Sequence, residues 1–386
     1  MTKRPPRIAI VAGEASGDML GSHLIRAVRE HCPDAEFFGI AGPKMIAEGA
    51  RSLFAMEKLS VNGYVEVLRH LPELLGIRRH LKQAILADKP DLFIGIDAPD
   101  FNLGLERDLK QQDIITLHFV SPSIWAWRGE RIKKILRAVS HMLVVFPFEA
   151  EIYRKAGLPV TYVGHPLADV LPDSPDRQAT RAKLNLPPYA PILALLPGSR
   201  QGEVRQHAQL FIDTARLLHE RHPDLCCVVP LVNAGTRALF VSALNASPHA
   251  PVMHIMDGHA DEAMIAADVV LVASGTATLE AALLKRPMVI TYRLAKLTAW
   301  WMRQGAYLPW VGLPNILAQR TVVPELLQEQ ATAPQLAEAL EALLVDTARR
   351  AAIEAEFARM HRSLKQGTAE RIAEAVLPYL QHTSCV

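Results

Sequence analysis

The sequence predicts an α/β fold of two doubly wound, Rossmann-like sheets that face each other across a cleft. Three observations predict it. Short β-branched runs alternate with segments of helical spacing along most of the chain, the pattern of parallel strands joined by crossover helices. Residues 164–191 hold six prolines and little periodicity, which reads as a linker between domains. The 386 residues are also too many for one ordinary core. A first domain over residues 1–168 and a second over 169–349 follow from these signals.

In the first half, apolar runs place strands at residues 7–12, 36–40, 91–96, 114–120, 142–146 and 161–163. Helices fall between them, the longest over about 71–87. After the linker, strands are expected at 192–196, 225–230, 251–255, 269–273 and 288–292. From Glu325 onward the chain reads as helical, rich in Ala, Leu, Glu and Arg. Doubly wound sheets bind ligands outside the carboxyl ends of their strands, so the chemistry is sought there.

Composition bounds the answer. Half of the residues are hydrophobic and 21% are charged, as in a globular protein with a large interior. A net charge of +2 argues against a general nucleic-acid binder. No apolar run reaches the ~18 residues of a membrane-spanning helix. The first apolar run is too short for a secretory signal. Cys32, Cys226, Cys227 and Cys385 form neither a disulfide framework nor a zinc spacing, and a reducing cytosol is the expected setting.

The strand at 192–196 runs into Pro197-Gly198-Ser199-Arg200, and a helical pattern follows over 203–221. Backbone N–H groups at such a junction, with the helix dipole, attract phosphate, and Arg200 adds a bidentate charged contact. The arrangement recurs at Ser274-Gly275-Thr276-Ala277, before a helix that carries Glu280. Two such junctions point to a nucleoside diphosphate, with Glu280 accepting from ribose hydroxyls. Asn315, in Gly312-Leu313-Pro314-Asn315, lies in a loop that could close over the site or simply make a turn. Neither a Walker A pattern nor G-x-G-x-x-G is present.

In the first half, Gly13-Glu14-Ala15-Ser16-Gly17-Asp18 and Gly95-Ile96-Asp97-Ala98-Pro99-Asp100-Phe101-Asn102 each follow a strand. Asp97 is the first polar residue after its strand, on a loop stiffened by proline, which suits a general base. Asp100 or Asn102 fits the cap of a helix starting near Leu103. Mg²⁺ held by Asp97 and Asp100 is the rival use of these carboxylates, though the donors of the other half already answer phosphate charge, and no metal is expected. His118 to Arg128 includes Ser121, Trp125, Trp127 and Arg128, with Arg131, Lys133 and Lys134 beyond; the tryptophans suit a sugar floor or the core equally. His165 opens the linker, either near the cleft or as a structural histidine. No G-x-S-x-G nucleophile elbow occurs.

Two segments combine apolar or aromatic residues with arginine: Val61 to Leu71, and Trp300, Trp301, Met302, Arg303, Tyr307, Leu308 and Trp310. Such surfaces meet lipid headgroups or pack against another domain or subunit.

Assembled, these motifs closely resemble the lipid-A-disaccharide synthase family from about Ile8 to the final helices. The residues that carry the resemblance are Val11–Asp18, Gly95–Asn102, Val120–Trp127, Leu196–Arg200, Ala273–Ala277 and Leu313–Asn315. The resemblance implies an inverting glycosyltransferase of GT-B fold, without a cofactor. It implies UDP-2,3-diacylglucosamine as donor and 2,3-diacylglucosamine 1-phosphate as acceptor. The product would be a β-1,6-linked disaccharide 1-phosphate for lipid A, with UDP released. It also implies peripheral attachment to the cytoplasmic face of the inner membrane, and C-terminal helices, from about 350 to 386, that cross back onto the first domain and can exchange in a homodimer. Asp97 is then the expected base, with Glu14 positioning sugar hydroxyls. Gly198, Ser199, Arg200, Ser274, Gly275, Thr276, Ala277, Glu280 and Asn315 are expected to hold UDP. Ser16, Asn102, Ser121, Trp127 and Arg128 are candidates for the acceptor sugar. A UDP-sugar epimerase on the same architecture is the alternative.

Overall fold

The strands form because short apolar runs are buried on both faces, as crossover helices require of a parallel sheet. Every residue of Leu92–Ile96, Ile192–Leu196 and Val269–Ala273 is buried. The computed structural model describes residues 4–59, 64–126, 129–293 and 307–380, with the side chains of 15 and 64–70 left aside.

The chain divides into two units, one of Met1–Asp169 with Leu364–Val386, the other of Val170–Ser363. The first holds β1 (Arg7–Ala12), β2 (Glu36–Ile40), β3 (Arg51–Ser52), β4 (Leu92–Ile96), β5 (Ile115–Phe119), β6 (His141–Val144) and β7 (Val160–Tyr162). They lie in the order β3-β2-β1-β4-β5-β6-β7. All neighbours are parallel, with Ala12 opposite Ile96 and Ile96 opposite Phe119. Helices α1 (Ala15–His31), α2 (Pro43–Ala47), α3 (Tyr64–Asp88), α4 (Pro99–Lys110), α5 (Ile132–Ala138), α6 (Pro147–Lys155) and α7 (Pro166–Val170) make the connections.

The second unit holds β8 (Ile192–Leu196), β9 (Cys226–Leu231), β10 (Met253–Asp257), β11 (Val269–Ala273), β12 (Met288–Tyr292) and β13 (Glu325–Leu327), ordered β10-β9-β8-β11-β12-β13. Its helices include α8 (Arg177–Lys183), α9 (Gln201–Arg221), α10 (Ala234–Asn245), α11 (Ala260–Ala266) and α12 (Ala277–Leu283). Strand order reverses between β1 and β4 in one sheet and between β8 and β11 in the other. Crevices at such reversals are where doubly wound sheets take ligands.

Several expectations shift. The linker contains helices α7 and α8; Asp176 caps α8 by accepting from the Ala179 amide at 2.9 Å. Residues 325–327 are an edge strand beside β12, and the helical tail starts at Ala333. The return to the first unit begins at Leu364 rather than near 350, because Ile353, Phe357 and Met360 are buried in the second unit's core. The helix Thr368–Val376 then packs on α1. Cys226 and Cys227 are buried and free. Among the described residues no helix is long and apolar enough to cross a membrane.

Candidate active site

The first unit gathers two of its loops at the reversal point. Glu14 follows β1 and starts α1 as its half-buried N-cap residue, with extended backbone. Asp97 follows β4, the neighbouring strand. The loops touch: a Cβ on Gly13 would fall 2.7 Å from that of Ala98. Ser16, two residues on, is exposed.

Asp97 and Ala98 are both left-handed, with φ of 49° and 43°, and Val120 at the end of β5 has φ of 77°. Non-glycine residues rarely sit there, and a β-branched one is a clear outlier. Each such residue costs about 1–3 kcal/mol, and strain of this kind concentrates at functional sites. The Asp97 amide donates to the Phe119 carbonyl at 2.9 Å, which ties the loop to β5. Its half-buried side chain has no hydrogen-bond or ion-pair partner among the described residues.

Asn102 takes a different place from the one expected. It is fully buried, and its Nδ2 donates to the Asp97 carbonyl at 2.8 Å. It therefore holds the loop from below instead of meeting a sugar. The helix behind it starts at Pro99, and its cap residue Ala98 contributes no side-chain bond. Asp100 is exposed and pairs with Arg131 at 2.8 Å. Asp18 is buried and serves as an anchor, its carboxylate accepting from the Lys44 and Met45 amides at 2.9 Å each.

Ser121 is also buried. Its hydroxyl lies 2.7 Å from the Tyr153 hydroxyl, and so it is a packing residue and not an open sugar contact. Nearby, the buried Glu149 carboxyl accepts from Trp125 Nε1 at 3.0 Å and from the Phe146 amide at 3.1 Å. Burial raises the Glu149 pKa to about 8. Trp125 packs edge-on against Phe148. Trp127 and Arg128, like Trp300, Trp301, Met302, Arg303, Cys385 and residues 61–63, lie outside the described residues.

The two junctions of the second unit differ in what their amides meet. The Ser199 and Arg200 amides, expected to meet phosphate, donate to Glu203 Oε2 at 3.0 and 3.3 Å. Gly198 makes this possible, with φ of 132° and no Cβ to strike Glu203. The chain's own carboxylate thus caps α9 in the place where phosphate was expected. The signal was legible: a glutamate three residues into a helix marks a capping box. Arg200 stays largely exposed, 3.8 Å from Glu203.

At the other junction the Ser274 amide is taken by the Thr291 carbonyl at 2.9 Å. Gly275 and Thr276 are exposed, and their amides donate to nothing among the described residues. Ala277 begins α12 and Glu280 sits one turn along it, half-buried and unpaired among the described residues. Burial, and then Asp261, raise the Glu280 pKa.

Asn315 is engaged within its own unit. It is fully buried; Nδ2 donates to the Val323 carbonyl and Glu325 Oε1 at 2.9 and 2.7 Å. Its Oδ1 accepts from the Val322 and Val323 amides at 2.7 and 3.0 Å. All four hydrogen-bonding positions of the amide are used, which leaves none for uridine. Among the described residues no group of three or more His, Cys, Asp or Glu could hold a metal ion.

Solved structures place this architecture in a class. The chain superposes on the calicheamicin glycosyltransferase CalG4 with a TM-score of 0.60 at 16% identity, over 100% of both chains. It also superposes on the UDP-GlcNAc 2-epimerase of Neisseria meningitidis, with a TM-score of 0.61 at 12% identity over 96% and 99%. Two Rossmann-like units with these neighbours define the GT-B glycosyltransferase fold. A family model described as lipid-A-disaccharide synthetase matches residues 8–377. Relatives named lipid-A-disaccharide synthase include one from Azoarcus sp. (strain BH72), 58% identical over 98% of this chain and 97% of its own length. One from Methylobacillus flagellatus is 59% identical over 97% and 100%. The chain belongs to the lipid-A-disaccharide synthase family and is a glycosyltransferase. The epimerase likeness reaches no further than the fold.

Proposed function

We propose that this glycosyltransferase joins UDP-2,3-diacylglucosamine to 2,3-diacylglucosamine 1-phosphate, forming the β-1,6-linked disaccharide 1-phosphate and releasing UDP. The observation that carries the chemistry is Asp97, an unpaired carboxylate on a strained loop at a strand-order reversal. Asp97 removes the proton from the acceptor 6-hydroxyl as that oxygen attacks the anomeric carbon and the bond to UDP breaks. Inversion follows from this single displacement. The Arg200 guanidinium and the Gly275, Thr276 and Ala277 amides stabilise the charge gathering on departing UDP. Glu280 accepts from the ribose hydroxyls, and Glu14 and Ser16 meet the sugar.

Acyl chains on both substrates favour work at a membrane surface, which we place on the cytoplasmic face of the inner membrane. Leu71 and Leu75, one turn apart on α3, are 41% and 47% exposed, and Tyr307 and Val311 are exposed as well. Apolar side chains left open in this way support such a surface. The helix Thr368–Val376, packed on α1, is the element we expect to exchange in a homodimer.

The test is incubation with both acylated sugars, with and without EDTA, following disaccharide and UDP by mass spectrometry. Disaccharide and UDP should form in equal amounts in both. A parallel incubation with UDP-N-acetylglucosamine alone should return it unchanged. An epimer there, or no disaccharide from the acylated pair, would refute the reading.

A further inference from the structure

Beneath the Asp97 loop lies a set of buried polar side chains that the chemistry above does not use. Glu106 of α4 and His118 of β5 are fully buried, with Glu106 Oε1 2.6 Å from His118 Nδ1. Their far atoms, Glu106 Oε2 and His118 Nε2, are sealed without a partner, as is Oδ1 of Asn102. The group surrounds the backbone that leads to Asp97. Gly95 stands opposite His118 in the β4–β5 register. A Cβ on Gly95 would fall 2.1 Å from Glu106 Oε1 and 3.1 Å from the Asn102 side chain.

Packing alone does not call for this arrangement. A buried acid–imidazole pair is seldom more stabilising than apolar side chains of the same volume, and unpaired buried polar atoms are rare enough to need a reason. Their place directly under a strained carboxylate supplies one.

We propose that Glu106 and His118 are positioning residues for Asp97: the hydrogen-bonded pair is sealed under the loop, and its packing and polarity hold the Asp97 carboxylate in the orientation that meets the acceptor hydroxyl. Burial lowers the His118 pKa, but the Glu106 carboxylate and the Asp97 charge outweigh it and the net shift is upward. Burial likewise raises Glu106. The charges acting on His118 are Glu106 from α4 and Asp97 from the end of β4. From β6, Met142 stands in register with His118, while His141 turns to Tyr379 and Thr161. Lys110 of α4 is bound to the Leu136 and Val139 carbonyls.

This proposal rests on Asp97 as the base, and the experiment separates the two. Glu106→Gln, His118→Gln and Asp97→Asn are each assayed for kcat, KM, their pH profiles and UDP affinity. Glu106→Gln and His118→Gln should lower kcat about 10²-fold, the scale of a misplaced reacting group. KM for both substrates and Kd for UDP should hold within about threefold, so that the loss lies in kcat, and the kcat–pH profile should depart from that of the wild type. Wild-type kcat and pH profile in both, beside an inactive Asp97→Asn, would overturn the positioning role and leave the base intact. An active Asp97→Asn would overturn both.

Should the glutamine variants not fold, ¹⁵N-histidine NMR of wild type and Asp97→Asn decides. The Asp97 side chain makes no bond that folding needs. Loss of its charge should let His118 deprotonate at lower pH, and an unchanged titration would overturn the proposal.

Discussion

Single residues in this protein divide by whether their polar atoms are already spoken for. Asp97, half-buried at the strand-order reversal and unpaired among the described residues, is free to do chemistry. Asp97→Asn should keep UDP binding, measured by calorimetry, while turnover falls by ~10²–10⁴, the usual loss of a general base. Arg200 is a largely exposed cation at the α9 junction, 3.8 Å from the Glu203 that caps the helix. Arg200→Ala should raise the UDP Kd about tenfold, as loss of a charged hydrogen bond does. Unchanged affinity would remove it from the diphosphate site. Asn315 is the opposite case, with every donor and acceptor satisfied inside its own unit. Asn315→Ala should cost about 2–4 kcal/mol, because buried amides and a carboxylate lose partners. Urea midpoints check this, and weakened UDP binding at full stability would contradict it.

The element most open to test is the loop from Ser121 to Trp125 with the start of α6. Glu149 ties them together, and burial lifts its pKa from the ordinary 4.5 to about 8. Between these two values the folded protein holds a proton that the unfolded chain has lost. Stability contributed here is therefore greatest at low pH and falls as pH rises toward 8. Above that the contribution is flat. Glu149→Gln mimics the protonated acid and should flatten the dependence; urea midpoints at pH 5.5, 7 and 8.5 are the measurement. A variant as pH-dependent as the wild type would assign the slope to another group.

For the whole molecule, the decisive feature is the return of the chain to its first unit at Leu364. The helix Thr368–Val376 covers α1 with Ile372, Ala373 and Val376 buried. A chain ended at Ser363 keeps Phe357 and Met360 in the second core but strips that cover. Calorimetry should then show one cooperative transition, from the second unit, with the first unit melting early or not at all. Two transitions at wild-type temperatures would mean that the last helix adds nothing to the first core.

What the sequence determined by itself was local or periodic. Runs such as Leu92–Ile96 and Val269–Ala273 announce buried strands because both faces are apolar, and the turns after them place Asp97, Ser199 and Ser274 at strand ends. The family was legible for the same reason, since its motifs lie in those turns. Folding decided which polar groups remain available, because that depends on partners brought from elsewhere in the chain. Glu325 reaches Asn315 from the edge strand, and Asn102 turns under Asp97. Glu106 meets His118 only once α4 lies against β5. Tertiary structure alone sorted candidates of one chemical type into groups left free to react and groups consumed in holding them, because a hydrogen bond already made inside the protein is no longer open to a substrate.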